Sequence, residues 1–290
     1  MSKIAILTDS SCDIPQEMAE KYNIDIMSFH ILLDDVDYVE RESCSNEEFY
    51  AKMRAAKGVP STAAITPIQF CEKYCQYVDE GYTDVIHVPI NRSGSSTYNN
   101  AVMAQGMLRE ERPEHHLNIH LLDPHTYSMV FGWYLCEMAR KLQNGAELRH
   151  VISEFETQMN KMEVILGPYS LKQMKKSGRI SAAAAVMGEL MGIRPIITLI
   201  DGKTRVESKV RGDDKVIPAM IDLCKKRTEG VEDFDYMIGH TSIPQAAELE
   251  KACRKAFGKA PLTTFNLGGV VSANTGPDTL ALVYVGKPRD

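Results

Sequence analysis

The sequence predicts an α/β protein in two parts: an N-terminal, mainly parallel α/β/α domain over residues 1–162 and a C-terminal α+β domain with a mixed sheet over 163–290. Three observations predict it. Short apolar runs alternate with helical stretches through the first half, which is the pattern of a parallel sheet covered on both faces. After about residue 163 the order changes, and two apolar runs flank Asp201-Gly202, a strong hairpin signal. A chain of 290 residues is also long enough for two ordinary domains, with the boundary between 157 and 168.

Lys3–Thr8 reads as a buried strand and Pro15–Lys21 as a short helix capped by Asp13. Asp25–Leu33 is the next strand, continued by a turn and edge segment over Asp34–Val39. Ser45–Ala56 follows as a helix capped by Ser45 or Asn46. Thr66–Glu80 opens with a hydroxyl cap and a proline at the first helical position, where its missing N–H is not needed. Asp84–Ile90 is a strand, Thr97–Arg112 a helix and Asn118–Asp123 a strand. Helices over Met129–Gln143 and Ala146–Met162 close the first part.

In the second part Val164–Leu166 is a short strand, and Tyr169–Lys176 a helix stopped by Ser177-Gly178. Ser181–Met191 is an Ala- and Met-rich helix. Arg194–Ile200 and Thr204–Val210 form the hairpin. Asp213–Arg227 is a helix, Asp235–His240 a strand and Ile243–Ala256 a helix, with strands at Leu262–Leu267 and Leu280–Val285.

Composition excludes several functions. Hydrophobic content of 44% and charged content of 25% are those of an ordinary globular protein, and a net charge of −6 argues against a nucleic-acid partner. No apolar run approaches the roughly 20 residues needed to cross a bilayer, and no signal peptide precedes the first strand. The reading is therefore a soluble, cytoplasmic protein without membrane insertion. The seven cysteines, 12, 44, 71, 75, 136, 224 and 253, are odd in number and read as free thiols in a reducing compartment. Cys71 and Cys75 have helical i,i+4 spacing rather than the CxxC spacing of metal or redox motifs.

The most informative segment is Asn91-Arg92-Ser93-Gly94-Ser95-Ser96-Thr97-Tyr98, which joins the strand ending at Ile90 to a helix. Free backbone N–H groups at a helix start, with side-chain hydroxyls beside them, suit a small oxyanion. Thr8-Asp9-Ser10-Ser11-Cys12-Asp13 and Ser61-Thr62 have the same character. Three loops of neutral donors point to a carboxylate-binding site, with Asp9 anchoring its own loop through backbone N–H groups.

Other chemistries fit less well. Gly94-Ser95-Ser96 is not the G-x-S-x-G elbow of an acyl hydrolase, and a serine is a poor nucleophile without a base. His87 is the base nearest in sequence. His115, His116 and His120 follow no zinc-binding pattern, and GxGxxG and P-loop motifs are absent. Lys172, Lys175, Lys176 and Arg179 read as a basic helix end, with the Arg179 guanidinium at the edge of an apolar stretch, Ile180–Met187. Ala182–Ala185, Met187 and Met191 could pack as core or line an alkyl chain.

Several separated motifs combine into one resemblance. They are Thr8–Asp13; Pro60-Ser61-Thr62 with Pro67; Ser95-Ser96-Thr97-Tyr98; Lys176-Ser177-Gly178-Arg179-Ile180-Ser181; Arg194-Pro195-Ile196-Ile197 with Asp201-Gly202 and Arg211; and Gly268-Gly269-Val270 with Thr275-Gly276-Pro277. In order and spacing the chain resembles the DegV family of bacterial fatty-acid-binding proteins, from about residue 3 to 286. That family includes the acyl-presenting subunits of the fatty acid kinase system. The resemblance implies two α/β domains with a long-chain fatty acid, such as palmitate or oleate, between them. It implies that Thr62 and Ser95 bind the carboxylate, with Arg179 and Asn274 in the head-group region. Asp9, Ser10, Ser11, Ser93, Gly94 and Ser96 then support the site.

Four positions depart from the family pattern. Asn274 stands where the family has histidine, so it can donate a hydrogen bond but carries no charge. Ser96 and Asp278 replace glycines, and Ala63-Ala64-Ile65 replaces Ser-Gln-Pro. They bear on ligand protonation, affinity and hand-off to a kinase catalytic subunit, the partner the resemblance implies. The expected function is a non-enzymatic lipid carrier in fatty acid uptake or metabolism, with no cofactor, no metal and no catalytic residue. The alternatives are a serine acyl hydrolase and a ligand-sensing regulator.

Overall fold

The computed structural model describes residues 3–178 and 192–289. β1 (Ile4–Asp9) ends in a 3-10 turn and is followed by α1 (Gln16–Tyr22), β2 (Ile24–Met27), β3 (His30–Leu33), β4 (Val36–Val39) and α2 (Asn46–Ala55). Next come β5 (Ser61–Ala63), α3 (Pro67–Asp79), β6 (Asp84–Val88), α4 (Thr97–Glu111), β7 (Asn118–Leu121), α5 (Met129–Gln143) and α6 (Leu148–Met159). β8 (Met162–Pro168), α7 (Lys172–Ser177), β9 (Ile193–Ile200), β10 (Lys203–Arg211) and α8 (Val216–Arg227) follow. The last elements are β11 (Tyr236–His240), α9 (Gln245–Phe257), β12 (Thr264–Asn266), α10 (Gly269–Thr275) and β13 (Thr279–Val285).

The first half holds a four-stranded sheet, β2-β1-β6-β7, with every neighbouring pair parallel. The two-residue period of its strands sorts the side chains onto two faces. Ala5, Leu7 and Val85 pack with Phe70, Tyr74, Ala101 and Leu108 of α3 and α4. Ile6, Ile86 and Val88 pack with Ala19, Phe131, Leu135 and Phe155 of α1, α5 and α6. The α/β/α layering expected of this half is therefore present. From β1 and β6, which are neighbours, the chain runs outward to β2 on one side and β7 on the other. Their carboxyl ends form a topological switch point, where open α/β sheets leave a crevice.

The second half holds a mixed six-stranded sheet, β10-β9-β8-β13-β11-β12, antiparallel throughout except for β11 with β12. Its outer face, with Ile165, Ile196, Leu280 and Leu282, is covered by α8 and α9. Its inner face, with Val164, Leu166, Leu199, Ala281 and Val283, belongs to the same core cluster as α5 and α6. A small antiparallel sheet, β4-β3-β5, completes the fold.

Three local expectations are corrected. The strand expected over Asp25–Leu33 divides into β2 and β3, which lie in different sheets. The break falls where Phe29 N donates to Ser10 Oγ (3.0 Å) instead of a ladder partner. Asp13 does not cap α1; it sits in the left-handed region (φ 54°), and α1 starts from Pro15 without a side-chain cap. The helix expected to reach Met162 stops at Met159, because Met162 begins the fully buried strand β8. The segment after Gly268, to which the sequence assigns no element, is a helix, α10. By contrast, Ser45 caps α2 and Thr66 caps α3, each through a reciprocal capping box. The helix expected over Ser181–Met191 lies outside the described residues, as does Arg179.

The two halves are joined by bonds between residues far apart in sequence. Tyr50 of α2 donates its hydroxyl to the carbonyl of Leu267. Arg54 donates from Nε to Asp278 Oδ1 (3.0 Å) and from Nη2 to Pro277 O (2.6 Å). Asp278 therefore does not leave a bare negative charge beside Asn274; Arg54 pairs with it. Replacing Tyr50 by Phe removes a buried donor with little change of shape and should cost about 1–2 kcal/mol of stability. A lowered urea midpoint with an unchanged slope would show it.

Candidate functional site

The site grows from the switch point. Asp9, the last residue of β1, is fully buried, and its carboxylate reaches both loops that leave the sheet there. Oδ1 accepts from Ser11 N (3.1 Å) and Ser11 Oγ (2.5 Å), and Oδ2 accepts from Ile90 N (2.6 Å). The loop-anchoring role expected for Asp9 is what the geometry shows. In the loop after β6, Asn91 Oδ1 accepts from Ser93 N (3.0 Å), forming an Asx turn. Ser95 Oγ accepts from Thr97 N (3.2 Å) and shares a hydrogen bond with Thr97 Oγ1 (2.8 Å). Gly94 is required by close approach: a Cβ there would lie 2.1 Å from the Tyr127 hydroxyl oxygen.

A second layer of carboxyl groups ties the halves together behind these loops. Glu40, 6% exposed, accepts from Val270 N (2.7 Å) and from Ser10 Oγ, whose oxygen in turn accepts from Phe29 N. Asp13 accepts from Gly268 N and from Ser128 Oγ. The start of α10, which has no side-chain cap of its own, thus finds acceptors for its free N–H groups across the interface. Gly268 is needed at this contact, since a Cβ would lie 2.1 Å from Asp13 Oδ1. Ser128 holds φ 65°, ψ −160°, a conformation that is costly for any residue but glycine. Its N–H donates to Ser11 O (2.9 Å), so the bonds to both sides of the residue hold it there.

Between the switch-point loops, α10 and the inner face of the mixed sheet lies a cavity of about 180 Å³. A single water needs roughly 10–15 Å³ on the same measure, so the space far exceeds a hydration site. Its walls are mostly apolar, with Phe29 and Ile90 facing Val164, Leu166, Leu199, Phe265 and Val283. Its polar lining includes Thr62, Ser95, Ser96 and Asn274. Thr62 and Ser96 are exposed, so the cavity is lined in part by residues that meet solvent.

The structure therefore brings Thr62, Ser95, Gly94, Ser96 and Asn274 to one cavity. Asp9, Ser10, Ser11 and Ser93 do not line it; the first three are buried behind it. Ser96 takes a right-handed conformation (φ −71°, ψ −9°), so the backbone there does not need glycine. Asn274 spends one N–H on Val270 O (2.9 Å), which leaves its second N–H and its carbonyl oxygen for other partners.

Sequence reasoning missed Tyr127, Ser128, Thr204 and Thr275, which also line the cavity. Tyr127-Ser128, a hydroxyl pair between a strand and a helix, carries the same signal as the loops that were recognised. Thr275 Oγ1 is buried without a protein partner, a polar group placed where a ligand could satisfy it.

Electrostatics separates binding from catalysis. Burial drives the His87 imidazole down to about 3, leaving it neutral, and its Nδ1 meets Tyr74 OH (2.6 Å). It does not line the cavity, and Ser95 Oγ bonds to the hydroxyl and N–H of Thr97, neither of which is a base. Desolvation raises Asp13 and Glu40 above the ordinary carboxyl range, and it pushes Asp9 up to about 7 against three hydrogen bonds that favour its anion.

An open α/β sheet facing a mixed sheet across a largely apolar cavity with a few polar groups in its lining is the form of a small-molecule-binding fold. The chain belongs to the DegV family: the family model described as "Uncharacterised protein, DegV family" matches residues 3–287. It is 29% identical over 290 residues to a DegV domain-containing protein of Clostridium perfringens, covering 98% of this chain and 99% of the relative. The crystal structure of a stearic-acid-binding protein from Eubacterium ventriosum superposes with a TM-score of 0.89 at 22% identity, covering 98% of this chain and 99% of the other. A fatty-acid-binding DegV protein of Streptococcus agalactiae gives a TM-score of 0.85 at 25% identity, covering 99% and 100%. No helix among the described residues is long and apolar enough to cross a membrane.

The raised position of Asp9 makes stability depend on pH in a defined direction. Its proton is held more tightly in the folded chain, at about 7, than at the ordinary value of 3.8. This contribution is complete below the ordinary value and is lost as pH rises through about 7. Urea midpoints should therefore fall as pH rises from 3.8 towards about 7 and level off above it, and Asp9→Asn should flatten that fall. An equal slope in the variant would show that Asp9 is already ionised in the fold.

Proposed function

We propose that this chain binds a long-chain fatty acid, such as palmitate or oleate, with its tail in the apolar cavity and its carboxylate at Thr62 and Ser95. The observation that carries the reading is the cavity itself: apolar walls from both halves, with the hydroxyls of Thr62 and Ser95 in its lining and Thr62 exposed to solvent. Asn274 and Thr275 complete the polar end, and Asp9, Ser10, Ser11 and Ser93 hold the loops in place. Residues 1–162 and 163–290 act as two domains closing on the ligand. Arg179 joins the head-group region by resemblance to the family.

Tail burial supplies the affinity and the head group sets orientation. About fourteen buried methylenes, at ~0.8 kcal/mol each, contribute roughly 11 kcal/mol before the cost of ordering the chain. Each hydrogen bond to an ionised carboxylate adds about 1–3 kcal/mol. No step requires a base or cofactor, which favours a carrier over an acyl hydrolase. The exposure of Thr62 and Ser96 supports presentation of the carboxylate to a partner, and the family resemblance supports a kinase in that role.

Native mass spectrometry, followed by analysis of an organic extract, tests the reading directly. It should find one fatty acid per chain; a protein that arrives empty and takes up neither added palmitate nor oleate overturns it. Thr62→Ala and Ser95→Ala should each weaken binding by about 5- to 150-fold. Unchanged dissociation constants in both would move the carboxylate elsewhere. A serine-directed fluorophosphonate should leave Ser95 unlabelled. Asn274→His should strengthen coupling to a fatty acid kinase if the asparagine has weakened it.

A further inference from the structure

Fatty-acid binding leaves unused a donor set on the flank of the parallel half, where α3 and α4 pack together. Cys71 and Cys75 lie one turn apart on α3, so their thiols share a face. Glu111, the last residue of α4, brings a carboxylate to the same place. Cys75 Sγ is 3.6 Å from Glu111 Oε2, and one donor atom from each of the three residues lies within 4.8 Å of the other two. The thiols are 1% and 8% exposed while Glu111 is exposed, so the cluster sits at the protein surface with one side open.

We propose that Cys71, Cys75 and Glu111 form a binding site for a zinc-type divalent cation, with water as the fourth ligand. Tetrahedral Zn–S and Zn–O bonds of about 2.3 and 2.1 Å place sulfur and oxygen about 3.6 Å apart and two sulfurs about 3.8 Å apart. The Cys75–Glu111 separation already has the first value. The second lies within reach of a small rotation of side chains that are at most 4.8 Å apart. Two thiolates and a carboxylate suit a borderline-soft ion and leave one net negative charge, near Arg112, which is itself paired with Asp79 (3.4 Å).

Binding involves no redox change. Each thiol gives its proton to solvent, and the two sulfur–metal bonds form as the ion sheds water. Burial pushes the Cys71 thiol up to about 12, so metal affinity rises with pH. Cys12, Cys136, Cys224 and Cys253 are also buried, but no carboxylate meets them in a comparable cluster among the described residues. Their ordinary role as small core residues accounts for them.

Cobalt(II) titration of the full chain, kept reduced with a phosphine, tests the site. One equivalent should produce a thiolate-to-cobalt charge-transfer band in the near ultraviolet, and added zinc should remove it. Cys75→Ser should abolish the band. Glu111→Gln changes only an exposed side chain, so folding is preserved, and it should weaken cobalt binding by at least about tenfold. No band in the wild-type chain, a band undiminished in Cys75→Ser, or equal affinity in Glu111→Gln would each overturn the proposal.

Discussion

The bond network of Asp9 is the constraint on which the rest of the site depends. One carboxyl group, buried at the end of β1, holds the turn that follows its own strand and the backbone that leaves β6. Those two exits occupy the switch point of the parallel sheet, so their relative position sets the width of the crevice between them. A buried acid is an expensive way to fix two loops unless its acceptors are filled. Here three donors meet it, and the raised proton affinity shows how closely burial and hydrogen bonding oppose each other.

Glu40 and Asp13 extend the same logic from one sheet to both halves. The short helix α10 is only seven residues long, too short to be stable alone. It forms because its N-terminal N–H groups meet those carboxyls while Val270 and Ala273 enter the core of the parallel half. Its opposite end then carries Asn274 and Thr275 to the cavity. Packing, capping and the polar end of the cavity are consequences of one docking event. The walls come from alternation in the mixed sheet: in β8 and β13 one row of side chains packs with α8 and α9, while Val164, Leu166, Ala281 and Val283 of the other row line the cavity.

Much of this was legible because it is local. Alternating strands and helices announced the parallel half, Asp201-Gly202 announced the β9–β10 hairpin, and Thr66-Pro67 announced the start of α3. Hydroxyls at Thr62 and Ser95 were recognisable as a group, and both reach the cavity. What escaped notice depends on partners remote in sequence. Glu40 stands in the run Val39-Glu40-Arg41-Glu42, which reads as a solvated turn, and its partner Val270 lies 230 residues away. The break between β2 and β3 is set by a serine on another segment, Ser10, and not by any breaker at Ser28 or Phe29. α10 begins with two glycines and contains few strong helix formers, so propensity argued against it while tertiary capping produced it.

The docking of α10 also has a consequence for biosynthesis. Asp13 and Glu40 are translated well before residues 268–270, whose amides satisfy them; Glu40 and Val270 stand 230 residues apart. The parallel half can gather its sheet and helices first, as N-terminal units generally do. It then waits with an unfilled carboxyl pair and an uncovered apolar floor until Gly268 and α10 arrive. A message truncated just before Gly268 would yield a vessel without its far wall rather than a protein trimmed at one end.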